Sequence, residues 1–208
     1  MIQKSFEIDG IKLDPTNKEF FEYAQLVLKD TQRRVVYLTG KAGTGKTTFL
    51  KYVVSEFERQ NQGSETPRSY VILAPTGVAA VNAHGQTIHS FFKLPSTAFL
   101  PEDEQYEISN IKKCFSYNNE KVELIKHLSL LIIDEISMVR CDILDIIDKI
   151  LKAYRKDNRP FGGVKVLLVG DAFQLSPIAS GQVIDKKTNT LVSIKYLLQQ
   201  QGYKSIYF

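Results

Sequence analysis

Apolar residues fall into two kinds of run along this chain. Four runs are continuous and short: residues 34–40 (RVVYLTG), 69–77 (SYVILAPTG), 128–134 (LSLLIID) and 162–171 (GGVKVLLVGD). They are rich in β-branched, aromatic and leucine residues and end at glycine or aspartate, which predicts strands. The other runs recur every three or four residues and predict helices. One covers 20–30, with Phe20, Tyr23, Ala24, Val27 and Leu28 at helical spacing and Thr16 or Asn17 as its cap. Others cover 47–60, 121–128 and 138–156; in the last, Val139, Ile143, Ile146, Ile147 and Ile150 share a face. Asn158-Arg159-Pro160 breaks that helix. Residues 78–85 read as a short helix or a loop, and 61–68 as a polar loop. Residues 1–16 read as irregular, with turn signals at Asp9-Gly10 and Asp14-Pro15. Residues 93–120, with prolines, acids and a SYNN cluster, read as a long surface excursion with local helix. The C-terminal part is poorly patterned, apart from a helix expected around 190–201. Strands and helices therefore alternate. A continuous apolar strand is one covered on both faces. The expected fold class is α/β, doubly wound, with a mostly parallel sheet and helices on both sides.

Composition leaves that picture unchanged. The 208 residues suit one domain, and with 43% hydrophobic and 24% charged residues they can bury a core without disulfides or metals. Cys114 and Cys141 stand apart, without CxxC spacing or histidine-rich company, so two free thiols and no zinc are expected. No stretch approaches the ~18 apolar residues of a membrane span. The N-terminus carries early charges and no apolar core of a secretory signal. No membrane association and a reducing, cytoplasmic setting are the default expectations. The net charge of +4 permits a nucleic-acid partner without arguing for one.

The chemistry sits where the strands end. Gly40-Lys41-Ala42-Gly43-Thr44-Gly45-Lys46-Thr47 fits G-x-x-x-x-G-K-[ST] between a predicted strand and a predicted helix. Such a loop curls so that backbone N–H groups face phosphate oxygens, and the helix that follows, opened by Thr47 and Thr48, adds the positive end of its dipole. Lys46 would reach the β- and γ-phosphates of ATP and Thr47 would ligate Mg²⁺. The plain alternative is a glycine turn before a helix. Asp134 and Glu135 close a second apolar run; Asp134 would hold Mg²⁺ through water and Glu135 would act as general base. Taken alone, they could equally be an acidic pair at a helix start. Residues 170–177 (GDAFQLSP) close a third run at the same sheet edge, where open α/β folds bind ligands. Gln174 there has the chemistry to contact a γ-phosphate or the attacking water, or is simply a polar turn residue.

In order, GKAGTGKT, APTGVAA, GQTIHSFF, DEISMVR and RPFGGVKVLLVGDAFQLSPI closely resemble the petite-integration-frequency (Pif-type) DNA helicases. These are superfamily 1 enzymes related to the RecD helicases, and the resemblance spans roughly residues 35–180. It implies an ATP-driven, 5′-to-3′ motor on single-stranded DNA, built from two RecA-like domains with ATP between them. The chain resembles the first: residues 1–34 as lead-in and adenine-side helix, 35–185 as motif-bearing core, 186–208 as the start of a connection to the second. The resemblance gives Lys46 and Thr47 to phosphate and Mg²⁺, Asp134 and Glu135 to metal and base work, and Gln174 to γ-phosphate sensing. It gives Pro75, Thr76, Gly77, Thr87, His89 and Phe91 to the single strand. The phenylalanine pair Phe91-Phe92 also reads as core, and His84 and His89 lack the company of metal ligands. Two features depart from the family. Its adenine-reading glutamine is replaced near the N-terminus by Asn17, with Phe20 or Phe21 against the base. The second RecA-like domain and its arginine finger do not follow before Phe208, so a piece of a longer protein is expected. The setting would then be nucleoid-associated in a bacterium or nuclear in a eukaryote. A non-motor P-loop ATPase and a DNA-binding or scaffold module without catalysis are the rival readings, and intact Lys46, Asp134 and Glu135 argue against the second.

Overall fold

The computed structural model describes residues 6–8, 11–13, 24, 27–29, 34–41, 43–65, 68–100, 103–171, 182–185 and 188–200. Five strands form the central sheet: β3 (Val35–Thr39), β4 (Ser69–Ala74), β5 (Gln86–Thr87), β6 (Leu128–Ile133) and β7 (Lys165–Gly170). Their order is β3-β7-β6-β4-β5, and every neighbouring pair is parallel. The α/β fold class expected from the continuous apolar runs is therefore the observed one, with a RecA-like arrangement.

Each central strand serves two cores at once. Leu130 and Ile132 of β6, with Leu167 and Val169 of β7, pack on one face against Phe49, Leu50, Val53 and Phe57 of helix α1 (Lys46–Asn61). Leu131 and Ile133, with Val166 and Leu168, pack on the other against helix α6 (Cys141–Arg155). Successive strand side chains point to opposite faces, so a strand buried on both must be apolar throughout. Helix α6 brings Ile143, Ile146, Ile147, Ile150 and Leu151 down on the sheet; Val139 packs there too, but from the segment before the helix. Further α-helices are α2 (Gly77–Asn82), α3 (Ile88–Phe92), α4 (Ile111–Cys114), α5 (Asn119–His127) and α7 (Ile194–Gln200), and residues 24 and 27–29 are helical as well.

Three expectations need correction. The stretch around 93–120 is no surface excursion: Leu94, Phe99, Tyr106, Ile111 and Phe115 are buried in the α6-side core. Their apolar residues are too irregularly spaced to show a period, and only the fold brings them together. Phe6–Ile8 and Ile11–Leu13 are not irregular but form antiparallel strands β1 and β2. Near the C-terminus, β8 (Gln182–Asp185) pairs with β9 (Thr190–Ser193), so α7 begins at Ile194 rather than about 190. Ile194, Leu197 and Leu198 of α7 pack on Ala98 and Leu100.

Ile147 is 0% exposed between α6 and the sheet, whereas Val78 on α2 is 75% exposed. Ile147→Ala is expected to lower the unfolding free energy by about 2–5 kcal/mol, and Val78→Ala by no more than about 0.5 kcal/mol, measured by denaturant titration.

Candidate nucleotide site and single-strand face

Strand β3 runs into the glycine loop, and the Gly40 N–H donates to the Gly170 carbonyl at the end of β7 (3.3 Å). Gly43 and Gly45 take φ of 78° and 87°, left-handed values that cost other residues energy. The Lys46 ammonium folds back on the loop, donating to the carbonyls of Gly40 and Lys41, the latter at 2.9 Å. Thr44 donates its hydroxyl to Lys41 O at 2.8 Å. An ammonium has three N–H donors, so Lys46 keeps capacity for a further acceptor. Gly45 caps α1 without a side chain, and no acid lies in its first turn. Among the described residues no side chain caps the first-turn amides of Lys46, Thr47 and Thr48, and they suit an anion. Thr47 is exposed and Thr48 half-buried at this helix start.

Strand β7 lies between β3 and β6. Adjacent strands are ~4.8 Å apart, so the loop and the end of β6 face each other across about 10 Å. There the Asp134 N–H donates to Leu73 O at 2.9 Å, and Asp134 Oδ1 accepts the Glu135 N–H at 2.9 Å. Glu135 stands at φ 51°, a left-handed conformation that stores strain at the turn. Burial raises the pKa of Asp134, against the Glu135 amide and Lys46. Burial, then Asp134 and Asp171, raise that of Glu135, against Lys46. Lys46 acts on both carboxylates, and Asp134 and Asp171 act on Glu135, as expected of charges gathered at one sheet edge. Three sequence candidates, Asn17, Ala42 and Gln174, lie outside the described residues.

The residues fit a nucleotide with Mg²⁺. Clustered carboxylates whose protons are held too tightly favour a cation beside them. No group of three or more His, Cys, Asp or Glu residues suited to a metal occurs among the described residues. Mg²⁺ does not need one, because it takes one or two protein oxygens and fills its shell with phosphates and water. Asp134 and Thr47 are residues that could hold it.

On the neighbouring strands, β4 and β5 are paired with Ala74 opposite Thr87. This sets Pro75, Thr76 and Gly77 beside Thr87 and His89. Thr76 caps α2 by accepting the Ala79 N–H (3.2 Å), and Thr87 caps α3 by accepting the Ser90 N–H (3.1 Å). A capping oxygen accepts, so each hydroxyl proton remains able to donate. A cavity of about 150 Å³ opens there, lined by Pro75, Thr76, Ile88, His89, Met138 and Arg140. Burial, and then the Arg140 charge, lower the His89 pKa and favour the neutral ring. Phe91 does not belong to this face. It is 2% exposed, edge-on to Phe92, with the Lys121 ammonium over its ring, so its stacking surface is taken.

Two features escaped the sequence reading. Arg140 grips Asp142 through two 2.9 Å bonds and Thr97 O at 2.7 Å, while Asp142 accepts the Phe99 N–H at 3.0 Å. This buried network ties the cavity wall to the 97–99 segment; the only hint in the sequence was a charged residue at each end of an Arg-Cys-Asp step opening an apolar helix. Gly170 is the other: a Cβ there would lie 2.8 Å from Ile136 Cγ2, so glycine lets the turn after Glu135 pack on β7.

Residues 12–202 match the family model for the PIF1-like helicase. The chain belongs to the PIF1-like helicase family. It is 31% identical to the human ATP-dependent DNA helicase PIF1 over 177 residues, 84% of this chain and 25% of that protein. It superposes on a Bacteroides Pif1 in complex with ADP-AlF4 at TM-score 0.70 and 36% identity, covering 94% of this chain and 38% of that one. A Bacteroides Pif1 bound to single-stranded DNA matches at TM-score 0.70 and 38% identity, covering 92% and 37%. The chain spans about a fifth of the length of the curated PIF1-like helicases it first matches.

The raised Glu135 pKa has a consequence for stability. The folded state holds that proton more tightly than the unfolded chain, where a glutamate titrates near its ordinary value of 4.5. The resulting stabilisation is complete below about that pH and lost as pH rises through the folded value. At neutral pH the ionised carboxylate burdens the nucleotide-free fold. Glu135→Gln is therefore expected to raise the melting temperature at pH 7, with the gain shrinking toward pH 4. An unchanged melting temperature at pH 7 would contradict this reading.

Proposed function

We propose that this chain is the ATP-binding half of a DNA helicase motor that moves 5′-to-3′ on single-stranded DNA. The observation that supports it most is a convergence. Lys46, Asp134 and Glu135 meet at one sheet edge, and the Thr76–Thr87–His89 face continues along the same edge. The family's ATP-dependent DNA helicases and the Bacteroides complexes add weight to it.

In this reading the loop 40–47 and the α1 amides grip the phosphates of ATP, with Lys46 turning its ammonium from the loop carbonyls toward them. Mg²⁺, held by Thr47 and Asp134, would neutralise phosphate charge when bound. Glu135 accepts a proton from the attacking water; its raised pKa makes it a stronger base. Gln174 contacts the γ-phosphate, and Asn17 contacts the adenine. An arginine from a second RecA-like domain stabilises the developing charge. Such a residue is worth ~10³–10⁵ in rate in comparable sites, so this chain alone binds nucleotide but turns it over slowly. Thr76 and Thr87 donate their hydroxyl protons to DNA phosphates, with His89 beside them. The turn Ile136–Met138 joins Glu135 to the cavity wall at Met138 and Arg140, giving the nucleotide and strand sites one shared element.

The test is a fluorescence-anisotropy titration of labelled single-stranded DNA, with and without a non-hydrolysable ATP analogue. Thr76→Asp keeps the helix cap but sets a carboxylate against the phosphates, so its melting temperature should hold while DNA affinity falls about tenfold or more. Thr76→Ser should bind as the parent does. Equal affinity in Thr76→Asp, or no salt-sensitive DNA binding, would leave a P-loop ATPase without a motor. In the same assay format with labelled nucleotide, Lys46→Ala should abolish nucleotide binding; retained affinity would displace the loop from the proposed role.

A further inference from the structure

At the opposite edge of the sheet the fold gathers cations. Arg34 leads into β3, Arg68 leads into β4, Lys165 opens β7 and Arg155 ends α6. They line one cavity of about 200 Å³, with apolar walls that include Leu28 and Phe57. Among the described residues no carboxylate lines it. Water occupies ~30 Å³ in the liquid, so the space holds a polyatomic ion and several waters.

Each arginine is positioned by something other than a counter-charge in the cavity. Arg34 Nη1 donates to Gly163 O at 3.1 Å. Arg155 donates through Nε to Gly162 O at 2.6 Å, and through Nη1 to the carbonyls of Ile125 and Leu128 at 2.8 Å each. The Arg68 guanidinium lies over the Phe57 ring, 5.0 Å from its centre. A guanidinium has five N–H donors. Among the described residues, these contacts leave Arg155 Nη2, Arg34 Nε and Nη2, and the whole Arg68 head without a hydrogen-bond partner. Asp157 influences Arg155 through space, but its carboxylate is already bridged by Arg159. Lys165 has an interaction of its own and is not needed here. Burial also holds the Arg155 pKa below its ordinary value, the direction expected of a cation short of negative charge.

We propose that this cavity binds a phosphate group. Three arginines converge from three strand and helix ends. A tetrahedral oxyanion offers acceptors in all those directions, whereas a planar carboxylate serves one fork. The phosphate could come from free inorganic phosphate or from the backbone of duplex DNA. The site lies across the sheet from the glycine loop, so it stands apart from the helicase reading.

The experiment starts from the intact protein carrying Lys46→Ala, which removes the glycine loop as a competing phosphate site. Calorimetric titration with inorganic phosphate, against chloride at matched ionic strength, should show saturable binding specific to phosphate. Arg68→Gln, at an exposed side chain whose loss leaves the fold intact, should weaken it roughly tenfold, and Arg34→Gln likewise. Arg68→Lys, which keeps charge but loses the fork, should fall between. A parallel titration with a short DNA duplex identifies the source. Loss of phosphate binding with unchanged duplex affinity assigns the site to the free ion; weaker duplex binding in both glutamine variants assigns it to the DNA backbone. Chloride binding as well as phosphate, or both glutamine variants matching the parent in both titrations, would overturn the proposal.

Discussion

The placement of strand β7 between β3 and β6 governs most of what this chain can do. Because all five strands run parallel, their C-terminal ends open onto one edge. Because β7 occupies the middle, the glycine loop and Asp134 are held about two strand spacings apart, ~10 Å. That separation suits a phosphate chain with its metal far better than direct contact between loop and carboxylate. Gly170 at the end of β7 accepts the Gly40 N–H and leaves room for Ile136, so one residue sets the distance to both halves of the site.

The site is held in a state that costs the nucleotide-free fold stability. Burial opposes the ionised forms of Asp134 and Glu135, Asp134 and Asp171 add repulsion at Glu135, and Lys46 gives both partial relief. Glu135 also sits in left-handed backbone geometry. Strain and repulsion of this kind persist only where the surroundings over-determine them, and here two packed cores do so. The β6 residues Leu130 to Ile133 are each at most 1% exposed, so the strand that delivers the carboxylates cannot shift without opening both cores.

The strand face is built with more economy. Thr76, two residues beyond β4, and Thr87, the last residue of β5, each cap a short helix, and their hydroxyls are aimed by the capping bond itself. The Arg140–Asp142 pair is buried, where losing one partner is costly; it anchors the 97–99 segment against α6 and shapes the wall shared with His89. The turn that leaves Glu135 leads through Val139 to Arg140, so only the four residues 136–139 separate the two faces along the chain.

Much of this was legible in the sequence because two local rules carry it. Continuous apolar runs such as LLII at 130–133 mark strands covered twice, and the spacing from Gly40 to Thr47 between a strand and a helix matches the pattern of a phosphate loop. Asp134 and Glu135 followed from their place after such a run. Other features depended on distance through space rather than along the chain. Leu94, Phe99 and Phe115 have no period, and only α6 makes them core. Phe91 was an aromatic in a nucleic-acid-like motif until α3 turned it inward beneath Lys121. The Arg34, Arg68 and Arg155 cluster joins residues separated by tens of positions, which meet because parallel strands bring their starting ends to one edge. Local sequence determined which elements form and which residues have the chemistry; sheet order and burial, which arise from long-range packing, decided which of those residues face a ligand and which face the core.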